Sequence, residues 1–183
     1  DFGTGITTVT LAAGAHSGDA GDISFNAGAS ILNIADVNDG NLALTAAGTA
    51  TTDSLTINLA DTAADALSDE ALTITKIETV TLDTDLATSA LQAQVLKNVS
   101  LTADTGGTTT FNVVGANALS IDIITANTVD FSGSTGAITQ TTNMVGTASG
   151  VNYLTGGSGN DTLIGDAGDA THITGGAGDD DIT

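Results

Sequence analysis

Apolar and polar residues alternate along most of this chain, in short segments separated by turns rich in Gly, Asp, Asn and Ser. Alternation with a period of two is typical of β-strands, because successive side chains of a strand point to opposite faces. The pattern predicts strands at 6–11, 31–35, 42–45, 55–59, 71–75, 77–82, 98–102, 109–114, 119–124, 128–131 and 137–141.

One apolar residue per strand recurs at nearly constant spacing from Val113 onward, with steps of 8, 8, 9, 7, 9, 9, 10 and 9 residues. The positions are Val113, Ile121, Val129, Ile138, Val145, Leu154, Leu163, Ile173 and Ile182. Such regular spacing indicates the stacked turns of one solenoid. A β-sandwich is the alternative, since its strands also follow one another about every 8–12 residues.

Residues 84–97 interrupt the strand pattern and are the best candidate for a short helix. Thr84 or Asp85 can cap its start, and Leu91 and Val95 would share a face. A loose solenoid turn is the alternative for this stretch. We expect three segments with no linker-like stretch between them. They are an irregular solenoid over 1–104, regular turns over 105–146 and glycine repeats over 147–183.

Four nonapeptide-like repeats fill the last segment, and the third copy carries one inserted residue. The second copy (156–164) and the fourth (175–183) match the pattern G-G-x-G-x-D-x-U-x, in which U is a large apolar residue. Consecutive glycines let the backbone turn its carbonyls inward, and the Asp adds a carboxylate. Hard oxygen ligands of this kind suit Ca²⁺, which takes about six to eight of them.

These repeats resemble the repeats-in-toxin (RTX) family of calcium-binding proteins, most closely over 156–183. The resemblance implies an all-β fold, in which a right-handed parallel β-solenoid runs into a calcium-binding β-roll. It also implies a calcium ion between loops on the same side of successive turns. Carbonyls at the first and third repeat positions and the Asp carboxylates would be its ligands. The implied ligand residues are Gly156, Ser158, Asp161, Gly175, Ala177 and Asp180.

The other side of the implied roll pairs the first repeat with the third. There the Asp position holds Asn152 and Ala170, so we expect no standard calcium site. Asp166 and Asp169 are weaker candidate ligands on that side, and Asp179 is a weaker candidate in the fourth repeat.

A second resemblance covers most of the chain. The segments I-E-T-V-T-L-D (77–83) and N-T-V-D-F-S-G-S-T-G-A-I-T (127–139), followed by the glycine repeats, are similar to bacterial surface-layer proteins of the RTX-secreted kind. That similarity implies a secreted structural protein on the bacterial cell surface. Its partners would be copies of itself and calcium ions, with a cell-surface polysaccharide as a further candidate. The alternatives are a module of a type I-secreted RTX adhesin and the stalk of a secreted enzyme.

The charge of the chain bears on its partners. It contains 22 acidic residues and two Lys, for a net charge of −20, so we expect neither nucleic acid nor an anionic membrane as partner. No apolar run approaches the roughly 18 residues of a membrane-spanning helix. Several acids crowd together at the end of the chain, where a divalent cation would offset their repulsion. They are Asp161, Asp166, Asp169, Asp179, Asp180 and Asp181.

Catalysis is not expected of this chain. It has no Cys, and His16 and His172 lie far apart without a nearby motif. No H-E-x-x-H, G-x-S-x-G or P-loop pattern occurs. The lack of Cys also excludes a disulfide framework, whose stabilising role calcium can take outside the cell. Because the chain starts at Asp1 and stops at the end of a repeat, we expect it to be part of a longer protein.

Overall fold

The computed structural model describes residues 7–11, 22–34, 42–59, 71–85, 93–144, 152–168 and 171–183. Short strands make up most of these residues. In chain order they are β1 (Thr8–Leu11), β2 (Asp22–Phe25), β3 (Ala29–Ile34), β4 (Leu42–Ala46), β5 (Ser54–Leu59), β6 (Ala71–Thr75), β7 (Thr79–Asp83), β8 (Gln94–Thr102), β9 (Thr110–Gly115), β10 (Leu119–Thr125), β11 (Thr128–Ser134), β12 (Ile138–Gln140), β13 (Asn152–Thr155), β14 (Thr162–Leu163), β15 (Thr171–Thr174) and β16 (Asp181–Ile182).

Successive strands alternate between two sheets of eight strands each. The odd-numbered strands form one sheet and the even-numbered strands form the other, both in chain order. Each turn of the chain therefore adds one strand to each sheet and lies on the turn before it. Every strand pairing in the described ranges is parallel, whereas the strands of a β-sandwich pair antiparallel. The predicted β-solenoid is confirmed, and its right-handed sense stays a prediction.

Turn length varies along the solenoid. Thr79 in β7 pairs with Thr110 in β9, 31 residues later, whereas Thr162 in β14 pairs with Asp181 in β16, 19 residues later. Most of the difference lies in strand length, since β7 and β8 have five and nine residues whereas β14 and β15 have two and four. Pairings continue across residue 104 through β8 and β10, and across residue 146 through β11 and β13.

The core is a narrow stack of apolar side chains that point inward from both sheets. Because the strands are in register, each inward side chain packs on its equivalent in the next turn. In the odd-numbered sheet one such column consists of Leu55, Val80, Phe111, Val129 and Leu154, none more than 1 % exposed. Parallel stacking thus turns the period-two pattern of each strand into continuous columns along the solenoid.

Each predicted strand is confirmed by an observed strand that overlaps it. The recurring apolar residues from Val113 onward lie in consecutive strands, apart from Val145, which is outside the described residues. The pattern does not predict β2, because the segment D-I-S-F has only two apolar residues, too few to establish a period of two. Ile23 and Phe25 of that strand are nevertheless buried, at 4 % and 3 % exposure.

The helix predicted over 84–97 is wrong for residues 94–97, which begin β8. Leu96 is fully buried and Val95 is 38 % exposed, so this stretch alternates with a period of two. Pairing with β10 supplies its backbone hydrogen bonds, and this tertiary contact overrides the helical spacing. Residues 86–92 lie outside the described residues. In the part of the chain that the structure describes, no helix is long and apolar enough to cross a membrane.

Replacing Phe111 by Ala removes a fully buried ring from the column between Val80 and Val129. We expect the free energy of unfolding to fall by about 3–5 kcal/mol, measured by urea denaturation followed by circular dichroism. Thr73→Ala, on the exposed face of β6, is the control, with an expected change within about 0.5 kcal/mol. Equal stability of the two variants would contradict a column packed across successive turns.

Candidate metal site

Two glycine loops lie one above the other at the corner where odd-numbered strands lead into even-numbered strands. Residues 156–161 connect β13 to β14, and residues 175–180 connect β15 to β16. The N–H of Ala177 in the later loop donates to the carbonyl of Gly157 in the earlier loop, at 3.0 Å. The structure therefore brings together the loops of the second and fourth repeats, which contain all six predicted ligand residues.

Close contact between the two loops explains their glycines. A Cβ atom on Gly156 would overlap the carbonyl oxygen of Gly175, and one on Gly176 would overlap the carbonyl oxygen of Gly157. Gly176 also has a φ of 99°, a conformation that other residues rarely adopt. The backbone oxygens of one loop thus lie against the backbone of the other.

Asp161 is almost completely buried, with 1 % of its surface exposed. Its Oδ1 accepts a hydrogen bond from the N–H of Ile138 in the preceding turn, at 2.8 Å. Its Oδ2 accepts one from the N–H of Gly157 in its own loop, at 2.7 Å. These two donors offset part of the cost of burying the carboxylate and join the loop to the turn before it.

Asp180 makes the same kind of contact one turn later. Its Oδ1 accepts a hydrogen bond from the N–H of Asp161 at 3.0 Å, and its side chain is half-buried against Gly175. Asp161 and Asp180 therefore form a column in which each carboxylate accepts a bond from the N–H of the preceding turn. We name this pair the carboxylate ladder.

Oxygen atoms dominate the possible ligands in this corner. The carboxylate ladder supplies two acidic groups, and Ala177, whose side chain is exposed, can offer only its carbonyl. The N–H of Ser158 donates to the carbonyl of Ser134 at 3.0 Å, and the Ser158 side chain is exposed. Among the described residues no group of three or more His, Cys, Asp or Glu side chains could hold a metal ion. Two carboxylates completed by carbonyls fit a hard ion such as Ca²⁺ and not Zn²⁺, which prefers nitrogen and sulfur.

The weaker candidate ligands do not join the carboxylate ladder. Asp179 is exposed, and its N–H donates to Oδ1 of Asn160 at 3.1 Å. Asp166 accepts a hydrogen bond from the N–H of Gly168 at 2.8 Å, which closes a local turn. Asp166 thus closes a local turn, whereas Asp179 contacts the second repeat through its backbone N–H.

On the opposite side of the glycine repeats, Asn152 is 1 % exposed and its Nδ2 has no hydrogen-bond partner. An amide nitrogen cannot bind a cation, so this position offers at most its side-chain oxygen. Asp169 and Ala170 lie outside the described residues. The absence of a standard calcium site on this side stays a prediction.

Sequence analysis missed two buried acids, Asp53 and Glu78, which are 2 % and 5 % exposed. They lie 25 residues apart in turns longer than those of the glycine repeats, so no nonapeptide spacing marks them. Each directly precedes an odd-numbered strand, as Asp161 directly precedes an even-numbered one. An acid placed immediately before an alternating segment is the signal that could have found them.

Replacing Asp161 by Ala leaves the buried N–H groups of Ile138 and Gly157 without their acceptor. We expect the free energy of unfolding to fall by about 2–5 kcal/mol, since each unsatisfied buried donor costs about 1–3 kcal/mol. Urea denaturation in a fixed buffer measures the change. Ser158→Ala, which alters only an exposed side chain of the same loop, should leave stability unchanged. Equal free energies of unfolding for the two variants would contradict a structural role for the carboxylate ladder.

The contact between the earlier glycine loop and the turn that precedes it is tested by adding single methyl groups. In Gly157→Ala the new Cβ would overlap the carbonyl oxygen of Ser134 in the preceding turn. In Gly168→Ala the nearest atom is Oδ1 of Asp166 at 3.5 Å, an ordinary contact. We expect the first variant to lose about 1–3 kcal/mol of unfolding free energy and the second to lose less than about 0.5 kcal/mol. Comparable losses would show that the 156–161 loop does not lie against the preceding turn.

Comparison with known proteins does not identify a family for this chain. No protein-family model matches the sequence, and no significant match was found among curated proteins or among solved structures.

Proposed function

We propose that this chain is a calcium-dependent structural module of a secreted bacterial cell-surface protein, whose copies assemble as surface-layer subunits. One observation carries most of this proposal. The matching second and fourth repeats stack so that Asp161 and Asp180 lie one turn apart in one column. The backbone N–H of Asp161 donates a hydrogen bond to Oδ1 of Asp180 at 3.0 Å. Asp161 and Asp180 thus occupy equivalent positions both in the repeat sequence and in the fold. We assign no catalytic residue.

Calcium in this corner would be held by the carboxylate ladder and by carbonyl groups of the two loops. Its charge would offset two neighbouring acids in a chain whose net charge is −20. The oxygen donors meet the preference of Ca²⁺ for hard ligands. The residues assigned to it are Gly156, Ser158, Asp161, Gly175, Ala177 and Asp180.

Binding at this site would couple calcium to folding, because its ligands come together only when two turns have stacked. An ion that binds only the folded state adds stability as its concentration rises, by about 2.7 kcal/mol at a hundred times its dissociation constant. In calcium-poor cytosol the acids would then repel one another and oppose folding. Outside the cell, calcium would favour the folded solenoid.

Self-association is supported by the edges of the two sheets. Among the described strands, β1, β2, β15 and β16 each have a sheet neighbour on one side only. The backbone groups on the outer side of such strands can pair with a strand of another chain or of a further turn. The strong negative charge opposes contact between copies, so calcium would also promote assembly by reducing their repulsion.

A calcium titration of chelated protein tests this function. We expect a gain of β-sheet circular dichroism with calcium, followed by light scattering and by ordered sheets or filaments in electron micrographs. The double variant Asp161→Asn, Asp180→Asn should need at least about tenfold more calcium to fold, since it lacks both carboxylate ligands.

Asp122→Asn with Asp130→Asn is the matched control, because it removes the same charge from residues outside the glycine loops. It should keep the calcium response of the natural chain. Folding without assembly would favour the adhesin module or the enzyme stalk over the surface-layer subunit. No response of the natural chain to calcium would refute the calcium-binding role itself.

A further inference from the structure

A second set of buried acids occupies the opposite corner of the solenoid, where even-numbered strands lead into odd-numbered strands. The residues directly before β3, β5, β7, β9 and β11 form one column there, since these strands pair in register. In chain order the column consists of Gly28, Asp53, Glu78, Thr109 and Asn127. Asp104, in the turn after β8, lies beside it. We name Asp53, Glu78 and Asp104 the acidic corner.

Hydrogen bonds join the acidic corner to the backbone in the manner of the carboxylate ladder. Oδ1 of Asp53 accepts a bond from the N–H of Gly28 in the preceding turn. Oε2 of Glu78 accepts a bond from the N–H of Asp53 at 3.0 Å, and its Oε1 accepts one from the N–H of Asp104 at 3.1 Å. Two acids one turn apart thus repeat the arrangement of Asp161 and Asp180.

Two oxygens of the acidic corner are left without a partner. Oδ2 of Asp53 and Oδ2 of Asp104 are both buried and accept no hydrogen bond. Asp53 as a whole is 2 % exposed, so water cannot hydrate its charge freely. The ammonium group of Lys76, in the same turn as Glu78, donates to the carbonyl of Gly48 at 3.3 Å. That ammonium group lies at the same corner, yet the two carboxylate oxygens still lack a hydrogen-bond donor.

The same column shows that a neutral side chain is enough to bond the preceding turn. Oδ1 of Asn127 accepts hydrogen bonds from both the N–H and the Oγ1 of Thr109, at 2.8 and 3.1 Å. Capping a peptide N–H therefore does not require a charge. The carboxylates of Asp53 and Glu78 need another physical reason, because burying an ionised group is far more costly than burying an amide.

We propose that the acidic corner binds a calcium ion through Asp53 together with Glu78 or Asp104. A divalent cation would satisfy the unpartnered Oδ2 of Asp53 and offset its buried charge. Because the described residues contain no ready group of three acidic or histidine ligands, backbone carbonyls and water would complete the coordination. This site stands on the buried, unpartnered oxygens and does not require that Asp161 and Asp180 bind calcium.

Paramagnetic substitution in the folded protein tests the site. Gadolinium chloride, added in small amounts to calcium-folded ¹⁵N-labelled protein at protein concentrations below those at which it assembles, broadens the amide signals of residues near each ion that it replaces. We expect broadening at Gly28 and Asp104, reversed by excess calcium. Gly157 reports chiefly the carboxylate ladder, because Asp53 and Glu78 lie at the opposite corner beside β5 and β7, three to four strand spacings (about 14–19 Å) from β13.

Asp53→Asn is the decisive variant, since its amide oxygen can keep the bond to Gly28 while an NH₂ group replaces the unpartnered oxygen. It should abolish broadening at Gly28 and leave Gly157 unchanged. Asp130→Asn, which removes an equal charge elsewhere, should change neither signal. Broadening at Gly157 without Gly28 in the natural chain would overturn the acidic corner as a cation site. Broadening at Gly28 alone would support it and refute the repeat site instead.

Discussion

Register between successive turns is the constraint on which the rest of this structure depends. Parallel pairing puts each residue directly over its equivalent one turn earlier, so similar side chains form columns along the solenoid. For apolar residues this stacking is favourable, as in the column that contains Phe111. For Asp161 and Asp180 it brings like charges together, and the same backbone register supplies the N–H groups that partly offset them.

Much of the fold could be predicted because strand alternation is local. The glycine loops at 156–161 and 175–180 could also be predicted, since their spacing is constant and their glycines carry a recognisable steric role. The first part of β8 could not, because pairing with β10 decides between strand and helix there. Asp53 and Glu78 meet across a turn of 25 residues that carries no nonapeptide spacing, so their alignment appears only in three dimensions.

A solenoid of this kind is held together by neighbours. Each turn contacts chiefly the turns before and after it, so stability is a sum of local terms, and a defect weakens the adjacent turns first. The carboxylate ladder and the acidic corner lie in different turns and at opposite corners. Charge compensation at one of them cannot replace compensation at the other. If both sites bind calcium as proposed, the stability of the solenoid would depend on ions at several turns along its length.

The corner hydrogen bonds also have a direction. Asp180, Asp161, Glu78, Asp53 and Asn127 each accept a bond from a peptide N–H of the turn that precedes them in the chain. Each turn therefore presents peptide N–H groups toward the turn that follows it and acceptors toward the turn that precedes it. Two stacks of such turns would join head to tail, where donors meet acceptors, and not head to head.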